Sequence, residues 1–528
     1  MRRALSLPAG HGLHCTEQRS IIRTSFNNRT SFDFLVTPQE RTMTIATTTA
    51  TVRPKTYTSL RAAWIPLFAL CLAFFVEMVD NTLLSIALPT IGRDLGSGTT
   101  ALQWVTGAYS LTFGGLLLTA GSLADRFGRR RVLLIGLAAF GTMSLAVIAV
   151  TTPGQLIALR AALGIAAAAM APITNSLVFR LFDDEALRMR AITVMIVVGM
   201  SGFILGPLLG GTALAHVRWE WLLVVNAPIA LIAWIGVRLG IAPDDPEGLT
   251  TDRLDLPGAV LSIATIGLAC FTMTSVVENG WHAVVTIAVA VGAVVALVAL
   301  VQRERTAKAP MLDLKLFNNG TVRGAAVAQL GTAITMAGVM FGLILHFQYA
   351  YGWSPVRAGL ANLPFIITML LATPVSETLG KRFGHRIACL IGAILLTVSL
   401  VGMAWGVYHG YVVVAIFMVV LTVGLRVVMT ICAVALIGGL PENRTSLGAA
   451  LNDTAQEVGT SVGTAVVGTV LAAVVGAHLP IGAWSADLAS TFFHGERIAY
   501  SVLAVLVGVI ATWGALTLTD SRDVEEQH

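Results

Sequence analysis

Asp80 interrupts an apolar run over residues 64–90, and Glu77 stands three positions before it. A helix would set the two carboxylates about one turn apart on roughly the same face. A carboxylate at the centre of a membrane helix costs about 2.5 to 3.5 kcal/mol, so one retained there marks a functional site by default, facing a wet cavity or a partner. Two neighbouring carboxylates resist being ionised together, which lets a proton and a cation compete for one place. That chemistry suits exchange of a cation for a proton. The alternative for Asp80 is structural, capping or hydrogen-bonding a helix broken near Pro89, and Glu77 stays open between the two readings.

Other charged positions extend the set. Asp453 and Glu457 are spaced i,i+4 in the apolar segment 447–476 and would form a second acidic face, although Asp453 also reads as a solvated carboxylate near a helix start. Arg160 would be unpaired in lipid, so it must face the cavity or a carboxylate; a purely structural ion pair is its alternative. Phe74, Phe75, Trp104, Tyr109, Phe113 and Phe341 offer apolar or cation-π surfaces, but they read more simply as packing or lipid-facing residues. No phosphate-binding Gly-x-x-x-x-Gly-Lys-Ser/Thr loop, zinc-type His-Glu-x-x-His or nucleophile constellation is present, which argues against an enzyme and against ATP as a direct energy source through that fold. The five cysteines show no metal-ligand spacing. We therefore expect no cofactor or metal.

The elements that hold these residues follow from composition. Hydrophobic residues make up 55% of the chain and charged residues 12%, whereas soluble domains run near 25% charged. Fourteen apolar segments, the first at 64–90 and the last at 498–518, are each long enough to cross about 30 Å of hydrocarbon as a helix. The expected fold class is an all-α polytopic membrane protein. With the amino terminus inside, Arg126, Arg129, Arg130, Arg131, Arg180, Arg188, Arg190, Lys381, Arg382 and Arg386 fall in or beside cytoplasmic loops, as the positive-inside rule requires. Both termini are then cytoplasmic, in a multi-pass protein of the plasma or inner membrane. This topology accounts for the net charge of +5 without a nucleic-acid partner. Residues 1–63 lack a long apolar run and read as a disordered cytoplasmic tail; Met43 offers a later start, so residues 1–42 could be an over-extended beginning.

The loop from Gly121 to Leu133 carries Asp125 at a turn, Gly121 and Gly128 where helix ends approach, and Arg126, Arg129, Arg130 and Arg131. Its core, Leu123-Ala-Asp-Arg-Phe-Gly-Arg-Arg130, returns as Leu379-Gly-Lys-Arg-Phe-Gly-His-Arg386, displaced by 256 residues. The repeat implies a six-helix bundle over 64–241, a linker with two inserted helices over 242–320, a second six-helix bundle over 321–518 and a short cytoplasmic tail over 519–528. Such an arrangement places a substrate cavity near the bilayer midplane, opened alternately by rocking. In the segment 191–214, Gly199, Gly202, Gly206, Gly210 and Gly211 with Pro207 let another helix pack against bare backbone and permit a kink.

These motifs resemble the major facilitator superfamily, and within it the fourteen-helix drug:proton antiporters of the QacA/EmrB-like group. The signature loop carries the first resemblance. Asp80-Asn-Thr-Leu-Leu-Ser-Ile-Ala-Leu-Pro89, Leu159-Arg-Ala-Ala-Leu-Gly164, Gly202-Phe-Ile-Leu-Gly-Pro-Leu-Leu-Gly-Gly211, Arg218-Trp-Glu-Trp-Leu-Leu-Val-Val-Asn-Ala-Pro228 and Asn452-Asp-Thr-Ala-Gln-Glu-Val-Gly459 extend it across the chain. The resemblance implies the major facilitator fold and proton-driven export of lipophilic, cationic compounds, with a dedicated exporter of a natural product, siderophore or lipid as the alternative. It also implies that the Asp80 acid contributes to proton coupling and drug recognition, and that Arg160 takes part in proton transfer. Gly202, Gly206, Pro207, Gly210 and Gly211 would mark an antiporter, while Gly121, Asp125, Arg126, Gly128, Arg129 and Arg130 would gate the conformational change without binding substrate. The expected partners are a small molecule, protons and the bilayer, in a monomer. Arg426 departs from the small residue the resemblance leads one to expect; a cation in the cavity would repel dicationic drugs.

Overall fold

The computed structural model describes residues 56–244, 249, 255–307, 314–440, 445–476 and 484–518. The described residues are helical, with no strand among them. The chain runs through α1 (Trp64–Asp94), α2 (Thr99–Phe127), α3 (Arg129–Ala146), α4 (Pro153–Ala168), α5 (Ala171–Arg180) and α6 (Glu185–Leu214). It continues through α7 (Glu220–Val224), α8 (Asn226–Gly240), α9 (Leu256–Asn279), α10 (Val284–Thr306) and α11 (Gly320–Leu345), which ends in a π-turn at His346–Ala350. Then come α12 (Pro355–Leu360), α13 (Leu363–Leu371), α14 (Thr373–Gly406), α15 (Tyr411–Gly438), α16 (Thr445–Val475) and α17 (Ala486–Thr517). Among the described residues, eleven helices are long and apolar enough to cross a membrane, and Pro355–Leu371 is a shorter apolar stretch. Their outer faces expose Val, Leu and Ile, most densely on α10 from Val284 to Val298, a surface that requires an apolar solvent.

The apolar run 358–379 predicts a single helix from the sequence, but the chain is divided there. Pro355, Pro364 and Pro374 each stand in the first turn of a new helix, where a missing N–H is harmless. At Gly384 the backbone of α14 turns to φ 81°, and Gly128, its counterpart in the repeated motif, has φ 94°. Both copies therefore make the same glycine-dependent turn.

Residues 56–63, expected to belong to the tail, are held against the bundle instead. Tyr57 donates its N–H to Leu181 O at 2.8 Å and its hydroxyl to Gly240 O at 2.9 Å, and Ala63 is buried. The remainder of the expected tail, together with residues 519–528, lies outside the described residues. Helix α1 packs on α6 and α8, α2 on α4, and α11 on α16 and α17. The two halves of the chain meet where α2 packs on α16, α6 on α12, and α1 on α11. Helix α9 lies against both α2 and α16, and α10 packs on α9.

Candidate functional site

Helix α4 begins at a capping box in which Thr152 and Gln155 satisfy each other's backbone N–H groups, with Pro153 at the first helical position. Gly164 then lets α4 approach α2 closely: a Cβ there would lie 2.4 Å from Tyr109 O. One turn earlier on the same helix, Arg160 reaches across to α1 and pairs with Asp80, both side chains being fully buried. Asn226 of α8 donates Nδ2 to Asp80 Oδ1 at 2.7 Å. Arg160 also donates Nε to Val105 O at 3.3 Å and Nη2 to Asn81 Oδ1 at 3.4 Å, and its guanidinium stacks 4.3 Å from the centroid of the Tyr109 ring. Asp80 is thus matched in charge and hydrogen bonding within the first half of the chain. In this conformation it faces Arg160 and Asn226, not an open cavity.

Glu77, one turn earlier, has a different setting. It is 3% exposed and its Oε2 has no hydrogen-bond partner. The acidic groups within electrostatic reach are Glu457 and Asp453 from α16 as well as Asp80. Gly114 of α2 makes room for Glu457, since a Cβ at residue 114 would sit 2.7 Å from the Glu457 Cβ, and Ser110 hydrogen-bonds the Glu457 carboxyl. Tyr109 lies in the field of Glu77 and Glu457 together, with its hydroxyl buried and unpartnered. The fold therefore draws Glu77, Asp80 and Arg160 of one half and Asp453 and Glu457 of the other into one neighbourhood. Asp453 is half-buried and hydrogen-bonded by Asn452.

The glycines of α6 divide by neighbour. A Cβ at Gly202 would meet Met78 and Val79, at Gly206 Thr82, and at Gly210 Leu83 and Ile86, all of α1, whereas at Gly211 it would lie 2.9 Å from Pro355 O of α12 in the second half. Pro207 stands in the same run of α6. In the signature loop Asp125 accepts from Arg129 at 2.9 and 3.1 Å, and Arg129 also pairs with Ser176 of α5. Arg130 is anchored by Asp244 and by Arg238 O, Arg126 lies over the Phe127 ring, and a Cβ at Gly121 would meet nothing within 4 Å.

This architecture, with its repeated turn and its charges gathered between two halves, agrees with a profile described as Major Facilitator Superfamily that matches residues 70–464. The chain belongs to that superfamily. It is accordingly a multi-pass membrane transporter and not an enzyme. The chain is 32% identical to the multidrug efflux pump LfrA of Mycolicibacterium smegmatis, over 81% of this chain and 85% of that one. It is 33% identical to the puromycin resistance protein pur8 of Streptomyces alboniger, over 87% and 92%, and 28% identical to the methyl viologen resistance protein SmvA of Salmonella typhimurium, over 81% and 86%. In fold this facilitator is similar to the inward-facing, unoccupied crystal structure of a bacterial homologue of the human lysosomal transporter Spinster, with TM-score 0.61 and 15% identity over 86% of this chain and 96% of that one.

Sequence reasoning placed the charges but missed Asn226, Asn81 and Ser110. Asn226 had a usable signal, a lone amide between Val225 and Ala227 in an apolar run.

Proposed function

We propose that this transporter exports lipophilic, predominantly cationic compounds in exchange for protons, and that Glu77 with Glu457 forms the exchange site. The observation that carries the reading is the buried, unpartnered Glu77 Oε2 beside the unpartnered Tyr109 hydroxyl, with Glu457 approaching from the other half. A carboxylate with an unpartnered oxygen is free to take a proton or a cation there, whereas Asp80 is occupied by Arg160. In this reading the Asp80–Arg160 pair is the polar support behind the site, and a change in the charge of Glu77 is felt by both halves. Gly121, Asp125, Arg126, Gly128, Arg129 and Arg130 weight the equilibrium between the two conformers.

Counting the turn at Gly384 as a loop, and joining the helices interrupted near Ala169, Val225, Ala361 and Ala372, gives fourteen spans: two six-helix bundles with α9 and α10 inserted between them. Both termini are then cytoplasmic, and the pump works as a monomer driven by the proton gradient with no cofactor. The named activities of LfrA, pur8 and SmvA support export of drugs. A second reading, a dedicated exporter of one natural product, has support from the 36% identity to the cephamycin export protein CmcT of Amycolatopsis lactamdurans, over 57% of this chain and 62% of that one.

The test is ethidium efflux from proteoliposomes under an imposed pH gradient. Gradient-driven efflux in the wild type, lost in Glu77→Gln and Glu457→Gln variants that fold, is the expected result. Efflux with unaltered pH dependence in both variants would remove these residues from the exchange site. A folded wild type that moves no ethidium turns the assignment to the single-product exporter.

A further inference from the structure

A second buried ionisable pair lies in the other half of the molecule, away from the motif residues. His346 ends α11, Glu496 lies on α17, and neither side chain is exposed to any extent. His346 Nδ1 and Glu496 Oε2 are hydrogen-bonded to each other, and His346 Nε2 has no partner. Tyr500 donates its hydroxyl to Glu496 Oε1 at 3.4 Å, and Gly342, one turn before His346, leaves the room that Tyr500 fills. Aromatic rings enclose the imidazole: Tyr351 at 4.4 Å, Phe493 at 5.1 Å and Phe347 at 5.7 Å between centroids. The titratable groups facing the pair are Tyr351 from the turn and Tyr500 from α17; beyond the rings stand Tyr408 against Phe493 and Tyr411 against Phe347. His494 and Arg497, on the same helix as Glu496, are exposed.

The backbone at this point departs from the α-helix. Residues His346–Ala350 form a π-turn, closed by Tyr351 N–H donating to His346 O at 3.0 Å, a conformation that recurs at functional sites. The turn carries two donors that cross to the first half: Gln348 Nε2 bonds Ile86 O and Tyr349 Oη bonds Pro89 O, both at 2.9 Å. Both acceptors lie on α1, beyond Asp80. The imidazole that would take up a proton and the latch that joins the halves thus belong to one five-residue turn.

We propose that His346 and Glu496 form a second proton-binding site, whose occupancy sets the Gln348–Tyr349 latch between the halves; this rests on the reading of the protein as a proton-driven exporter. One proton is exchanged. With a single proton on Nδ1 the pair is an imidazole beside a carboxylate, net charge −1; a proton added at Nε2 makes it imidazolium and carboxylate, net charge zero, and on release that proton returns to water. The two forms differ in the pull between ring and carboxylate, hence in the position of the turn. Proton loading is in this way tied to whether α1 and α11 are joined.

Two measurements test the inference. Trp484 stacks on Tyr349 at 5.3 Å and reports on the latch. The tryptophan fluorescence of purified protein should pass through a one-proton transition with pH, removed by Trp484→Phe and absent from His346→Gln and from Glu496→Gln. In proteoliposomes the two variants should lose at least tenfold in gradient-driven ethidium efflux while binding ethidium within twofold of wild type. Should either variant fail to fold, the double variant His346→Gln/Glu496→Gln, whose amides can hydrogen-bond each other, replaces it. Persistence of the wild-type transition, or efflux within twofold of wild type, in variants that fold overturns the proposal. A wild type that moves no ethidium defeats the multidrug reading alone, and the fluorescence transition then decides this one.

Discussion

The Asp244 carboxylate, 114 residues further along the chain, accepts the Arg130 backbone N–H at 2.9 Å. It thereby satisfies an orphan donor in the first turn of α3 and sets negative charge at the positive end of that helix. The Arg130 side chain returns along the same path, its Nη2 donating to Arg238 O at 2.7 Å. Arg180 stands 3.8 Å from Asp244 but is half-exposed, so that pair adds little. The signature loop is therefore clamped to the chain that leaves α8.

Asp244→Ala should cost about 1 kcal/mol of stability, the usual effect of losing a helix cap. It should slow transport severalfold with unchanged substrate affinity, because the clamp holds the loop and not the substrate. Gly128→Ala should do more: its φ is 94°, and a Cβ would lie 2.8 Å from the Asp244 carboxylate. Thermal unfolding and transport kinetics check both; wild-type turnover in the two variants would show that the clamp does not limit the cycle.

Two glycines of α6, five residues apart, should fail in different ways. At Gly206 a Cβ would come within 2.0 Å of Thr82 Oγ1 inside the first half, so Gly206→Ala should lower folded yield. At Gly211 the obstacle is the backbone of Pro355 and Val356 in the second half. Gly211→Ala should fold and instead favour the conformer in which that end is open, seen as faster thiol labelling of a cysteine placed at Val356. Equal labelling with and without the substitution would count against this contact as part of the gate.

Some of the site could be read before the fold was known, and the limit has a physical cause. Asp80 and Arg160 announce themselves because a charge inside an apolar run is costly, whatever its partner. That they pay for one another could not be read, since 80 residues separate them and pairing is a property of packing. His346 and Glu496 were hidden by hydropathy itself: Thr491, His494, Glu496 and Arg497 delay the apolar signal, so the last span was expected to begin at 498, whereas α17 begins at Ala486. Glu496 therefore lies well inside a helix that the sequence appeared to start after it. The broken passage from Pro355 to Leu371 was missed for the opposite reason, because its apolar content is continuous while its prolines divide it.

The pairing of Asp80 with Arg160 should dominate stability in the first half. Asp80→Ala leaves a fully buried guanidinium without its counter-charge, a change that costs about 3 to 5 kcal/mol. The charge-neutral Asp80→Asn/Arg160→Gln variant should recover most of that loss in melting temperature, since neither partner is then left ionised. Its transport should stay impaired, because the polar support behind Glu77 is changed. A melting temperature for Asp80→Ala equal to that of wild type would show that the pair contributes nothing to folding.

Arg426 should set a charge preference among substrates. It lies midway along α15, half-buried, donating Nε and Nη2 to Thr373 Oγ1 at 3.2 and 3.0 Å, with no carboxylate at ion-pair distance among the described residues. At a separation of about 10 Å and an effective dielectric constant of about 20, each additional positive charge on a substrate meets roughly 1.7 kcal/mol of repulsion. That corresponds to about a twentyfold disadvantage for dicationic methyl viologen relative to monocationic ethidium. Arg426→Gln should therefore raise the ratio of methyl viologen to ethidium efflux roughly twentyfold, while Arg426→Lys, which keeps the charge but not the fork-shaped hydrogen bonding, should leave the ratio near that of wild type. Rates for both dyes in the same proteoliposome preparation measure this directly. A ratio that shifts equally in both variants would assign the preference to the guanidinium's contact with Thr373 and the shape it imposes, and a ratio that shifts in neither would place the substrate path beyond the reach of this charge.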